Sequence, residues 1–244
     1  MIQLLTNHMS GHSKWSSIKH QKASSDAKRS NLFTKLANVI SVAARSGGDP
    51  TMNFQLRLAI EKARAANMPK DGIERAIKRG TGELGGQKIE DITYEAYGPN
   101  GVAILIEVAT DNKNRALSAI KTTLGRSGGK LAGEGAVSYL FERKGLIKAT
   151  AGEGVDEAEL KIIDSGADDY ESSDGTYLIY TKPEQTRTVS QRLEESGLTV
   201  QSAELIYEPK SPVSIPDNEA EKIINLLKAL DDLDDVNSVS SNLG

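Results

Sequence analysis

The stretch Ala167-Asp-Asp-Tyr-Glu-Ser-Ser-Asp-Gly-Thr-Tyr-Leu-Ile-Tyr-Thr181 decides the fold. Residues 167–172 and 176–181 read as strands. Ser173-Asp-Gly175 between them reads as a hairpin turn, because Gly accepts positive φ and Asp bonds nearby backbone. Upstream, a strand or hairpin over 136–149 leads into a helix over 154–165, ended by Gly166. Downstream, a helix over 183–196 opens with Pro183, ends at Gly197 and feeds a strand over 198–207. The order is β-α-β-β-α-β, the ferredoxin-like pattern.

Toward the carboxyl end, Glu208-Pro-Lys-Ser-Pro-Val-Ser-Ile-Pro216 reads as a linker. It precedes a helix over 217–231, with Ala220, Ile223, Ile224, Leu227 and Leu230 on one face, and a strand over 236–239. Toward the amino end, strands over 92–97 and 102–109 flank the turn Gly98-Pro-Asn-Gly101. A helix over 112–126 follows, capped by Asp111 and burying Leu117, Ile120 and Leu124. This unit has strands but only one helix, whereas the carboxyl-terminal segment is a helix and a strand without a sheet. The economical expectation packs the two together, with 134–208 inserted between them.

The Gly-rich run Gly80-Thr-Gly-Glu-Leu-Gly-Gly-Gln87 marks another linker. Ahead of it, periodicity predicts three helices. The first, over 24–45, carries a stripe of Leu32, Leu36, Val39 and Ala43. The second, over 52–66, buries Leu56, Ile60 and Ala63. The third follows Asn67-Met68-Pro69, has Pro69 in its first turn, buries Ile73, Ala76 and Ile77, and takes Gly80 as its cap. Residues 9–23 read as extended. The expected fold is therefore multidomain α+β. It has an arm over 1–23 and a three-helix amino-terminal domain over 24–80. Two ferredoxin-like α+β domains follow, one discontinuous (81–133 plus 209–244) and the other, 134–208, inserted in it.

Composition narrows the chemistry. The 244 residues include no cysteine, which excludes disulfides, thiolate metal sites and thiol nucleophiles and fits a reducing cytoplasm. The longest apolar run, Val102 to Ile106, is far too short to span a membrane, and the first residues lack a secretory signal's pattern. All three histidines, His8, His12 and His20, precede the expected folded body, so no Ser-His arrangement or histidine metal site is expected there. Gly125-Arg-Ser-Gly-Gly-Lys130 follows a helix and has Leu131 where a phosphate loop needs Ser or Thr. Asp231-Asp-Leu-Asp-Asp235 lacks the calcium-loop pattern. No catalytic group, metal, cofactor or small-molecule substrate is expected.

Charge is the positive signal. The net charge of −4 conceals fourteen Lys/Arg against five acids over residues 9–80, a local +9 that leaves the remainder at −13. Such asymmetry points to a polyanion-binding module joined to an acidic body. Lys14, Lys19, Lys22, Lys28, Arg29 and Lys35, interspersed with hydroxyls, suit phosphate oxygens. Trp15 suits stacking on an unpaired base or anchoring the arm to the bundle. The third helix adds Lys70, Arg75, Lys78 and Arg79. Its exposed side has no Asn or Gln for reading adenine, which favours backbone or shape recognition of structured RNA while leaving DNA as the alternative.

The motifs Gly11-His-Ser-Lys-Trp15, Ile18-Lys-His20, Asp26-Ala-Lys-Arg29, Phe33-Thr-Lys-Leu36, Asn67-Met-Pro-Lys-Asp71 and Ile73-Glu-Arg-Ala-Ile-Lys-Arg-Gly-Thr-Gly82 form an ordered series. Tyr94-Glu95, Tyr97-Gly-Pro99, Thr110-Asp-Asn112, Asn114-Arg115, Ser127-Gly-Gly129 and Phe141-Glu-Arg-Lys-Gly145 continue it. Across about 9–241 the chain resembles the YebC family, also called the family of the translational activator of mitochondrial cytochrome c oxidase. The resemblance implies three domains, one discontinuous, and no catalysis. It implies either a ribosome-associated factor that helps translation through proline-rich stretches, contacting ribosomal RNA, or a DNA-binding transcriptional regulator. It adds Asn114 and Arg115 as secondary nucleic-acid contacts. Gln21 and Asn31 stand where that pattern is basic, which implies weaker phosphate affinity.

Overall fold

A computed structural model describes residues 26–85, 88–151, 155–173 and 175–244. The arm over 1–23 lies outside these residues. The elements are helices α1 (Asp26–Ala44), α2 (Phe54–Ala65) and α3 (Lys70–Gly80), strands β1 (Glu90–Tyr97) and β2 (Ala103–Thr110), helix α4 (Lys113–Arg126) and strand β3 (Lys130–Leu131). They continue as β4 (Phe141–Thr150), α5 (Val155–Asp164), β5 (Asp169–Ser173), β6 (Thr176–Thr181), α6 (Thr186–Glu195), β7 (Thr199–Pro209), α7 (Asp217–Asp231) and β8 (Val236–Ser241). The chain divides into two compact units. One joins the start of α1 to 90–142 and 208–244, and the other joins 36–89 to 143–207. Among the described residues no helix is long and apolar enough to cross a membrane.

The sheet of the first unit has the order β3-β1-β2-β8. β1 and β2 pair antiparallel from Glu90 opposite Thr110 to Tyr97 opposite Ala103. The tight turn between them uses positive φ at both Asn100 and Gly101. β8 pairs antiparallel with β2, so the end of the chain completes a sheet begun at Glu90. Ile104, Ile106 and Val108 of β2 form one core with Ile120 and Leu124 of α4 and Ile223, Leu227 and Leu230 of α7. Each of these residues is essentially removed from water, which is the main favourable term in folding. Asn112, not Asp111, caps α4, because its side chain accepts the Arg115 N–H at 3.0 Å.

The second sheet has the order β5-β6-β4-β7, and its chain path is the expected β-α-β-β-α-β. Ile147, Tyr177 and Ile179 pack against Ala158 and Ile162 of α5 and Val189 and Leu193 of α6. The two sheets share a two-layer design but reach it differently. In the discontinuous domain the central pair is a local hairpin, whereas in the inserted domain the central strands β4 and β6 are separated by α5 and β5.

In the helical segment, α2 ends through Asn67 at φ 59°, with the Met68 N–H donating to Ala63 O at 2.9 Å. Pro69 stands just before α3 as its N-cap rather than inside its first turn. Gly80 is not the cap expected from the sequence; it is the last residue of α3, and its missing side chain lets α1 pass. A Cβ there would meet the Ser41 carbonyl oxygen and lie 2.7 Å from Ala44 Cβ. The Ser41 hydroxyl, at the same crossing, donates to Ala76 O at 2.9 Å. This crossing also resets the buried stripe of α1. Leu36, Ile40, Ala43 and Ala44 are buried, Val39 is half-buried, and Leu32 remains 44% exposed.

Candidate nucleic-acid interface

α3 presents the clearest cationic surface among the described residues. Its buried side is Ile73 and Ala76, so the helical repeat turns Lys70, Arg75 and Lys78 to solvent. Asp71 and Glu74 lie among these cations. Lys70 sits 3.6 Å from Glu74, and Arg75 Nε donates to Asp71 O at 3.2 Å. Exposed pairs of this kind contribute little and leave the ammonium and guanidinium groups able to exchange partners. Arg79 is half-buried in the last turn. Lys78 and Arg79 also complement the carboxyl end of the helix dipole, a structural role compatible with phosphate contact.

The other expected contacts separate into three groups. Lys14, Trp15, Lys19 and Lys22 lie outside the described residues, as does the side chain of Lys28. Arg29 is exposed near the start of α1, its guanidinium 5.7 Å from the Phe33 ring centroid. Lys35 is half-buried and donates to the Asp231 carbonyl at the carboxyl end of α7, where a cation offsets the helix dipole. Asn114 is exposed in the first turn of α4.

Arg115 is held by its own domain. It donates twice to Asp235, Nε to Oδ2 at 3.0 Å and Nη2 to Oδ1 at 2.7 Å, and Nη2 also reaches Asp111 at 3.0 Å. The bonds to Asp235 hold the guanidinium still more firmly protonated, against the opposing effect of burial. Asp235 is buried, and its carbonyl accepts the Ala109 N–H at 2.9 Å. The bidentate pair therefore ties the start of α4 to the segment entering β8.

Sequence reasoning quoted Glu95 within the Tyr94-Glu95 motif but gave it no role. This carboxylate, 7% exposed, accepts the N–H groups of Gly135 at 2.7 Å, Val137 at 2.5 Å and Ser138 at 3.0 Å. Burial pulls its pKa upward, but the N–H donors outweigh that effect and hold it below the usual carboxylate range. Alternation along β1 puts Glu95 opposite the face bearing Tyr94 and Ala96. A polar residue there reads as solvent-facing until the loop over 133–138 folds across it. Among the described residues, no group of three His, Asp or Glu is arranged to hold a metal.

A helical amino-terminal domain with a basic exposed helix, followed by two antiparallel sheets each layered with two helices, defines a multidomain α+β protein. Residues 13–83 match the family model described as the TACO1/YebC protein N-terminal domain, and residues 89–243 match the TACO1/YebC second and third domain. The chain belongs to the TACO1/YebC family. A relative from Pseudothermotoga lettingae, named a probable transcriptional regulatory protein, is 50% identical and covers 96% of this chain and 93% of its own length. One from Aquifex aeolicus with the same name is 48% identical, covering 96% and 95%. A crystal structure of a conserved hypothetical protein from Aquifex aeolicus superposes with a TM-score of 0.85 at 45% identity, covering 95% of this chain and 96% of that one.

Proposed function

We propose that this chain is a non-enzymatic, cytoplasmic nucleic-acid-binding regulator of gene expression. In this reading it works on the ribosome, gripping ribosomal RNA and assisting elongation through proline-rich stretches. The observation that carries the proposal is the exposed face of α3. It offers Lys70, Arg75 and Lys78 with no Asn or Gln among them, and it continues the positive charge of the residues ahead of it. Lys and Arg without amide side chains suit phosphate contact rather than base reading. The acidic remainder of the chain limits indiscriminate adhesion to polyanions.

The second reading, a DNA-binding transcriptional regulator using the same residues, draws on the name carried by the bacterial relatives. Sedimentation of lysate through a sucrose gradient separates the two. Migration with ribosomal particles at low salt, and release at high salt, is the expected result. A protein that stays at the top of the gradient yet prefers one promoter duplex over scrambled DNA supports the regulator instead. Replacing Lys14, Lys19 and Lys22 together with Ala is expected to weaken RNA binding. It should also flatten the slope of log affinity against log salt by about 2, from roughly 0.7 per lost phosphate contact on single strands. An unchanged slope in a filter-binding titration rejects these lysines as phosphate contacts.

A further inference from the structure

Among its described residues the first unit exposes one aromatic ring on a well-supported piece of backbone. Tyr139 is 64% exposed, although neighbouring Phe141 and Val137 are buried. It occupies the middle of the short 3-10 turn Ser138–Leu140. Two N–H groups leading into that turn, those of Val137 and Ser138, donate to the buried Glu95 carboxylate. Leu140 N–H closes the turn on Val137 O at 2.9 Å. From the returning chain, Lys210 N–H donates to Leu140 O at 2.9 Å and Lys210 Nζ donates to Tyr139 O at 3.0 Å. The Tyr97 hydroxyl secures the approach by donating to Ala136 O at 2.9 Å. The backbone under Tyr139 is thus fastened from β1 and from the segment after β7 while its ring remains in water.

A tyrosine ring left in water on fastened backbone presents an aromatic face with a polar tip to a partner. Pre-organising a residue before its partner arrives reduces the ordering cost of binding. The chemistry at the same residue indicates the partner. The Lys210 ammonium has three donors, and the Tyr139 carbonyl uses one, which leaves two for a phosphate oxygen. An exposed ring on a residue whose backbone carbonyl holds an ammonium offers the two groups that one nucleotide of a single strand needs, a ring for its base and a cation for its phosphate.

We propose that Tyr139 and Lys210 form a nucleotide-stacking site for single-stranded RNA, a contact on the first unit additional to the basic amino-terminal segment. The inference rests on the nucleic-acid reading above and locates part of that contact. It differs from a purely electrostatic grip in one measurable respect, since stacking requires a base and charge alone does not. Full-length protein is titrated with a fluorescently labelled oligoadenylate and, separately, with inorganic polyphosphate, which carries charge but no bases. Tyr139→Ala is expected to weaken oligoadenylate binding about tenfold and leave polyphosphate binding unchanged. Tyr139→Phe keeps the ring and is expected to bind both like the parent. Lys210→Ala is expected to weaken both.

Parental affinity for oligoadenylate in Tyr139→Ala overturns the stacking site and leaves the proposed function standing. An equal loss on both polymers also overturns it, because the ring would then not be reading a base. Failure of the parent protein to bind either polymer overturns the nucleic-acid reading itself, and the stacking site with it.

Discussion

Gly145→Ala is expected to lower the stability of the second unit by about 3 kcal/mol, the upper part of the ordinary range for overpacking a filled interior. Gly145 lies in β4 opposite Thr181 of β6. A Cβ added there would fall inside contact distance of the hydroxyls of both Thr181 and Thr186 and lie 2.9 Å from Thr186 Cβ. Both threonines are fully buried. Their hydroxyls are 3.0 Å apart, and Thr186 Oγ1 also donates to Pro183 O at 3.0 Å, which fixes the entry into α6. Neither side chain can move aside without leaving a buried hydroxyl unsatisfied. Urea denaturation followed by circular dichroism measures the loss. Adding Thr186→Ala to Gly145→Ala is expected to recover part of it, because the closest obstructing atom is removed and neighbouring substitutions do not simply add. A single variant within about 0.5 kcal/mol of the parent would show that β4 and α6 separate easily, contrary to their close packing.

Glu95→Gln should cost about 3 kcal/mol at neutral pH, for a different reason. The carboxylate serves three N–H donors over 133–138 with both of its oxygens. Gln replaces one acceptor oxygen by an NH₂ group that faces other donors, and it removes the charge that strengthens the remaining bonds. The pH dependence follows from the lowered pKa. Glu95 ionises more readily in the folded chain than at its ordinary value of 4.5. Its stabilising contribution is therefore fully present above that value and is lost as pH falls through the lower folded pKa. The gap between parent and Glu95→Gln is expected to be constant near neutrality and to narrow below pH 4.5. Urea midpoints measured at pH 7 and in an acid series check this. A gap that widens on acidification would mean that Glu95 is protonated in the native chain.

Much of the architecture was legible because its signals are local. The helix expected over 217–231 is α7, with the same bounds, since its apolar residues repeat at helical spacing between a proline and an acidic run. The β-α-β-β-α-β order was readable from Ser173-Asp-Gly175, Gly166, Gly197 and Pro183, residues whose backbone preferences act within a few positions. Where neighbours intervene, the reading shifts. Both Asp111 and Asn112 are competent caps, and only the path of β2 into α4 chooses Asn112. The basic face of α3 was visible as a pattern, but a run of Lys and Arg does not say which cations are already engaged inside the protein.

The sequence by itself determined the kinds of element, most of their ends, the absence of cysteine chemistry and the concentration of positive charge toward the amino end. The tertiary structure alone decided that Lys35 serves the end of α7, that Arg115 serves Asp235, and that Glu95 is covered rather than exposed. It also decided that Gly80 is a point of helix contact at the end of α3 instead of its cap and that Tyr139 stands in solvent on a fixed turn. Periodicity and turn chemistry act over a few residues, so one dimension suffices to read them. Burial and pairing depend on groups far apart along the chain, such as Arg115 and Asp235, and these meet only once the carboxyl-terminal strand has closed the first sheet.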